Sequence, residues 1–230
     1  MTAADGAIPP GFTLVDLFET DIDRIQALHE AAMGAVPDPS AVRTDEPSFF
    51  AGIFHYGGEI VGLERDGELV AYGVLRPELE SELDRVGLDG LVPARERLWV
   101  LDGSAARPDL WRGGLQRTLI SLRLARLRQT AIDHAIAKAS PRNIPSMRNL
   151  LKRGFATVGM VKKSYGWRYV QYRRVATAVS VPETGEWIEA ADVVEVARHL
   201  DDGEFATTCR VGGDGIARLQ FAILPDLKRA

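Results

Sequence analysis

One cysteine, Cys209, stands in 230 residues. That excludes an intramolecular disulfide and a cysteine-rich metal site. Histidine is nearly as scarce. His29, His55, His134 and His199 are the only four, and no two have the spacing of metal ligands, so they read as surface or packed side chains and no metal is expected. Long apolar runs are missing too: the best membrane-spanning candidate is interrupted by Arg123, Arg126 and Arg128. The stretch from Met1 to Gly11 lacks the basic and apolar regions of a signal peptide. These absences point to a cytoplasmic protein without a membrane partner.

What is present is an ordinary globular composition, 46% hydrophobic and 26% charged. The length suits one well-buried domain, or one domain with a small appendage. Charge is strongly segregated along the chain. Residues 1–106 carry 7 Lys and Arg against 20 Asp and Glu, residues 107–174 carry 16 against 2, and residues 175–230 carry 5 against 10. On one reading the basic block is made of solvated helix faces, with Arg117, Arg123, Arg126, Arg128, Arg148 and Lys152 pointing outward. On the other it surrounds a polyanionic ligand. Nucleic acid is the weaker choice of polyanion, because the acidic first third would repel a duplex.

Periodicity gives an ordered series of elements. Phe12 to Phe18 alternates as a half-buried strand, and Thr20 is placed to cap a helix with apolar positions Ile22, Ile25 and Leu28. Pro37, Pro39 and Pro47 mark residues 34–47 as a loop, and a short helix follows over Phe49 to His55. Strands Glu59 to Arg65 and Glu68 to Arg76 are joined by Asp66-Gly67, a hairpin signal. Residues 77–96 read as an acidic insertion with a helix over Glu78 to Arg85. A strand begins at Arg97 to Leu101, and a helix carries Leu115, Leu119 and Leu122 at i, i+4 and i+7. A strand over Ala135 to Ser140, a helix capped by Asn143 and ended by Gly154, and a hairpin of Ala156 to Tyr165 with Trp167 to Arg174 complete residues 1–176. Residues 177–230 form a second, smaller α+β piece: a strand over Glu186 to Glu189, a helix with Asp192 and Glu195 as capping box, and a hairpin of Phe205 to Val211 with Ile216 to Leu224. So small a piece is expected to dock on the main domain or on a second subunit, which leaves a homodimer open.

The most informative run is Pro108-Asp109-Leu110-Trp111-Arg112-Gly113-Gly114-Leu115-Gln116-Arg117. A Gly-rich turn between an apolar strand and an apolar-periodic helix aims several free N–H groups at one spot on a helix N-terminus, which suits a pyrophosphate. Together with Asn143-Ile144-Pro145-Ser146 and Arg153-Gly154-Phe155, this run resembles the GNAT superfamily of acyl-CoA-dependent N-acyltransferases. Trp111 stands at that family's Arg/Gln position, Gly114 at its first Gly and Gln116 at its second Gly or Ala. The span Asn143 to Phe155 has the length of the family's helix-plus-Gly-Phe element, and the resemblance covers about residues 12–175.

The resemblance implies an α/β fold, a mixed β-sheet flanked by helices, and an N-acetyltransferase that passes an acetyl group from acetyl-CoA to a primary amine by direct attack in a ternary complex. It places the acetyl-CoA site at Trp111, Arg112, Gly113, Gly114, Leu115, Gln116 and Arg117, with Asn143 reaching the pantetheine arm or the acetyl end, or serving as a simple helix cap. It places a general base at Asp102, six residues before Pro108, although Asp102-Gly103 is also a frequent turn dipeptide and both readings stand. Glu64 and Glu96 are weaker candidates. Where the family has a tyrosine seven residues after the helix Asn, this chain has Leu150, which shares an apolar face with Met147 and Leu151. Tyr165 is then the candidate acid, with Ser146 and solvent as alternatives. The different outcome is a catalytically silent acyl-CoA-binding or interaction module of the same fold. Asp38, Asp45 and Glu46, in the loop that walls the family's acceptor groove, are expected to draw a small cationic amine.

Overall fold

The computed structural model describes residues 7–78, 88, 90–92 and 95–227. The helix expected over Glu78 to Arg85 lies outside the described residues. Backbone contacts divide the chain into two compact units, Met1–Pro77 with Trp99–Ala131, and Glu78–Leu98 with Ile132–Ala230.

In the first unit, strands β1 (Thr13–Leu17), β2 (Glu59–Arg65), β3 (Glu68–Pro77) and β4 (Leu98–Ala106) pair antiparallel in that order. Helices α1 (Ile22–Gly34) and α2 (Pro47–His55) bury Ile25, Leu28, Phe50 and Ile53 with Ile60, Tyr72 and Val74 of the sheet. Helix α3 (Leu115–Leu127) packs Leu115, Leu119 and Leu122 with Val61, Leu63, Val70 and Ala71. Both strand faces are thus covered, which explains why β2 and β3 read as nearly unbroken apolar runs. Asp66 and Gly67 both have positive φ, 54° and 80°, the geometry a two-residue hairpin turn requires.

Three local expectations are corrected here. Thr20 does not cap α1; a short 3-10 turn, Glu19–Asp21, precedes the helix, and the Asp21 carboxylate accepts the Phe18 N–H at 3.0 Å. Asp102-Gly103 is not a turn. Strand β4 runs through it as a bulge, for Gly73 pairs with Ser104 and Leu75 with Leu101, leaving Val74 opposite two residues. Arg123 does not point outward either, being only 2% exposed.

In the second unit, β5 (His134–Ala139), β6 (Ala156–Lys163), β7 (Gly166–Arg174), β8 (Glu186–Glu189), β9 (Glu204–Val211) and β10 (Ala217–Ile223) follow the order β5-β7-β6-β9-β10-β8. The strands of residues 177–230 continue the sheet of β5–β7 through the pairing Thr157↔Ala206. Helix α4 (Ile144–Leu151) buries Met147, Leu150 and Leu151, and α5 (Val193–Asp201) buries Val196, His199 and Leu200. Asp192 caps α5 by accepting the Glu195 N–H at 3.1 Å. The Glu195 side chain turns to Arg198 instead, so only half of the expected capping box forms.

Candidate active site

The turn before α3 leaves backbone donors uncommitted at a helix N-terminus. A short 3-10 turn, Pro108–Leu110, delivers the chain to Trp111, whose indole N–H is tied to the Ala106 carbonyl at 2.8 Å. Arg112 and Gly114 then take positive φ, 68° and 86°. A Cβ on Gly113 would come within 3.0 Å of the Leu110 carbonyl oxygen, so that position has little room for a side chain. Gly114 is the N-cap of α3 and supplies no side-chain acceptor. The N–H groups of Arg112, Gly114, Leu115 and Arg117 therefore have no acceptor among the described residues. Unspent donors at a helix N-terminus, in a turn that alternates handedness, suit a phosphate oxygen.

The cations around this turn differ from their neighbours. Arg107 is held by Glu68 and Asp109, and Arg126 by Asp16 and Glu59. Arg112 and Arg117 make no ion pair among the described residues, and the Arg117 guanidinium folds back to 3.1 Å from where a Gly114 Cβ would stand. The residues present thus fit the pyrophosphate of a CoA thioester: backbone donors, two unpaired arginines, and glycine where the backbone must be approached closely.

A polar constellation surrounds the β4 bulge in the same unit. Arg123 of α3 donates to the carbonyls of Leu119 at 3.1 Å, Val74 at 2.8 Å and Asp102 at 3.3 Å. It reaches them because β3 has glycine at 73, where a Cβ would lie 3.0 Å from the guanidinium carbon. Burial lowers the Arg123 guanidinium to about 10. The carbonyls that a bulge leaves without ladder partners are thereby satisfied. Asp102 accepts from Arg76 Nε at 2.6 Å and from the Gly103 N–H at 3.0 Å.

Asp45, Arg43, His29 and Tyr72 complete this constellation. His29 Nε2 accepts the Asp45 N–H at 2.8 Å, and His29 Nδ1 lies 2.7 Å from Tyr72 Oη. A backbone N–H can only donate, so a neutral His29 carries its proton on Nδ1 and gives it to the Tyr72 oxygen. Burial pushes the His29 imidazole below its ordinary value, the Tyr72 phenol above its own, and the Asp45 carboxyl up, the last against the pull of Arg43. The sequence singles out Asp45 for charge alone, reads His29 as a surface or packed side chain and Arg123 as an outward one, and gives Tyr72 no role. A lone histidine on an apolar helix carries no signal until its partners are in place.

In the second unit, Asn143 caps α4, its side-chain oxygen accepting the Ser146 N–H at 3.1 Å. Its amide NH₂ has no acceptor among the described residues, so the cap leaves it two donors to offer. Tyr165 lies in the β6–β7 turn, 37% exposed, with the Arg168 guanidinium 4.5 Å from its ring centre. Leu150 is 4% exposed and belongs to the core. Of the other aromatics on that hairpin, Tyr169 is fully buried and donates to the Ala190 carbonyl at 2.8 Å. Among the described residues no group of three or more metal-ligating side chains occurs, and no helix is long and apolar enough to cross a membrane.

Comparison with known proteins identifies the family and the fold. The model of the acetyltransferase (GNAT) family matches residues 23–155. Among solved structures, the ribosomal-protein-S18-alanine N-acetyltransferase of Escherichia coli superposes with a TM-score of 0.55 at 14% identity, over 75% of this chain and 97% of that one. Ard1 of Thermoplasma volcanium gives 0.55 at 13% identity, over 71% and 97%. A phosphinothricin acetyltransferase of Sinorhizobium meliloti, determined in complex with acetyl-CoA, gives 0.51 at 15% identity, over 71% and 88%. At such identities the structural likeness speaks for the fold. No curated protein sequence matches the chain.

Proposed function

Since the chain belongs to the GNAT acetyltransferase family, and acetyl-CoA is the acetyl donor of that family, we propose that it acetylates the primary amine of a small cationic molecule in the cytoplasm, by direct attack within a ternary complex. The observation that carries the reading is the turn at 111–117, where unspent backbone donors and two unpaired arginines fit a pyrophosphate. In this reading the N–H groups of Arg112, Gly114, Leu115 and Arg117 orient the donor, the Gly113 N–H being spent on the Leu110 carbonyl, and Trp111 closes the turn. Asp102, expected as the general base, has both oxygens engaged by Arg76 and the Gly103 N–H, and it keeps the role of supplying negative charge for the incoming ammonium. The free amide of Asn143 donates to a pantetheine carbonyl. Tyr165 gives a proton to the departing sulfur, because Leu150 has none to give.

The cationic acceptor is supported by the acidic first third and by the carboxylates of the loop between α1 and α2. Asp38 is spent on capping a 3-10 turn through Ser40, and Glu46 is exposed, while Asp45 faces the β4 bulge. Thiol release from acetyl-CoA tests the reading with a panel of diamines, neutral amines, carboxylated amines and peptides with a free amino terminus. Amines with a second positive charge should win at low salt, with an advantage that shrinks as salt rises. Neutral or carboxylated amines winning at low salt would reject the cationic acceptor.

A further inference from the structure

Asp45 is the carboxylate of this constellation with an oxygen to spare. Its side chain is 8% exposed, and Oδ1 is paired with Arg43. No donor among the described residues reaches Oδ2, and that oxygen is the one atom within 4 Å of where a Gly103 Cβ would sit, at 3.8 Å. Among the described residues, the ground beside the β4 bulge is thus open, edged by a nearly buried, half-used carboxylate. Asp102 differs, because both of its oxygens are engaged, by Arg76 and by the Gly103 N–H.

We infer that Asp45 Oδ2 takes the proton of the acceptor's ammonium, and that His29 is the positioning residue that holds Asp45 in place through its main-chain N–H. The inference rests on the acetyltransferase reading and names the base for it. Oδ2 removes one N–H proton and frees the nitrogen lone pair. The C–N bond forms at the thioester carbonyl carbon and the C–S bond breaks with its pair going to sulfur. A second N–H proton replaces the one that Tyr165 gives to sulfur, and Asp45 returns its own to water. The charged and titratable groups facing Asp45 among the described residues are Arg43, His29, Asp102 and Tyr72. Its raised carboxyl, tempered by Arg43, suits a proton acceptor better than a permanently ionised one.

Two arms test this on the full chain, with the parent, Asp45→Asn, Asp102→Asn and Gly103→Ala. In the first arm the folded proteins are treated with a water-soluble carbodiimide and ethylamine, and the coupled carboxyls are mapped by mass spectrometry. Asp45 should couple faster than Asp102 in the parent, and Gly103→Ala should slow it about tenfold, since its methyl fills the open ground at ordinary contact distance. Absence of coupling at Asp45, or equal coupling in Gly103→Ala, overturns the inference. In the second arm acetyl transfer to 1,4-diaminobutane is followed across pH. Asp45→Asn should lose about 100-fold in kcat together with the acidic limb of the profile, at unchanged CoA affinity. The same loss in Asp102→Asn with none in Asp45→Asn overturns it. A parent that binds no CoA sinks the acetyltransferase reading instead, and the coupling arm, which needs no CoA, then decides on Asp45 by itself.

Discussion

Helix α3 starts from Gly114, which has no side chain to offer its first turn, whereas α4 starts from Asn143, whose side chain accepts the Ser146 N–H. The two units also contain one buried His–Tyr pair each. Tyr172 passes its hydroxyl proton to the Leu91 carbonyl at 3.3 Å and takes the His134 Nδ1–H at 2.9 Å, so that chain closes within the protein. Tyr72 receives the His29 proton at 2.7 Å, and its own finds no acceptor among the described residues. Where the second unit satisfies a helix start and a tyrosine internally, the first leaves both with donors unspent. Buried or helix-terminal donors without partners are costly, and ligand-binding sites are the places where such a cost is offset on binding.

The comparison breaks most severely at Gly114. Gly114→Glu puts a carboxylate where the pyrophosphate is expected. It also forces a Cβ onto a residue with φ of 86°, 3.1 Å from the Arg117 guanidinium. CoA binding by calorimetry should vanish, a loss of at least ~100-fold. Undiminished binding would mean that the unspent donors of α3 serve something other than a phosphate. Folding is checked by circular dichroism, so that loss of binding is not confused with loss of structure.

A smaller effect sharpens the contrast between the His–Tyr pairs. Burial holds His29 and His134 below the ordinary histidine value of 6.5. A histidine with a depressed folded value binds fewer protons when folded than when unfolded. Its contribution to stability is therefore complete above the unfolded value and is lost as pH falls below it. Each site limits the slope to ~1.4 kcal/mol per pH unit. Asp45, whose folded value is raised, has the opposite sign, and its contribution is lost as pH rises through that value. Urea unfolding across this range in an Asp45→Asn background isolates the histidines. Adding His29→Gln should flatten the profile without abolishing it, because His134 remains. No change on that substitution would mean that His29 is protonated in the fold, against its acceptor role toward the Asp45 N–H.

Much of this was legible in the sequence, for a physical reason that also explains the rest. The Asp66-Gly67 hairpin, the Asn143 cap, the Gly154 terminator and the turn at 111–117 are set by residues within a few positions of one another, so their chemistry reads directly along the chain. Leu150 as core followed from its place on the apolar face of α4. Arg123 did not follow. An arginine in a helix is ordinarily solvated, and what buries this one is the missing Cβ of Gly73 and the bulge of β4, both remote in sequence. Asp102-Gly103 has the composition of a turn, and pairing with β3 keeps it in a strand. His29 acquired meaning only from Tyr72 and Asp45, 43 and 16 positions away.

The smallest effect tests whether Asn143 does more than start a helix. Its oxygen is committed to the Ser146 N–H, and its NH₂ is free among the described residues. Asn143→Ala removes both and should cost about 1 kcal/mol of stability, as loss of a cap does. Asn143→Asp keeps an oxygen for the cap and removes the donors, so urea unfolding should return close to the parent. If the amide donates to a pantetheine carbonyl, acetyl-CoA binding stays weakened in Asn143→Asp even though stability is restored, because a carboxylate has no N–H to give. Binding that recovers together with stability would reduce Asn143 to a cap. The α4 start would then be fully internal, in the sense that separates it from α3.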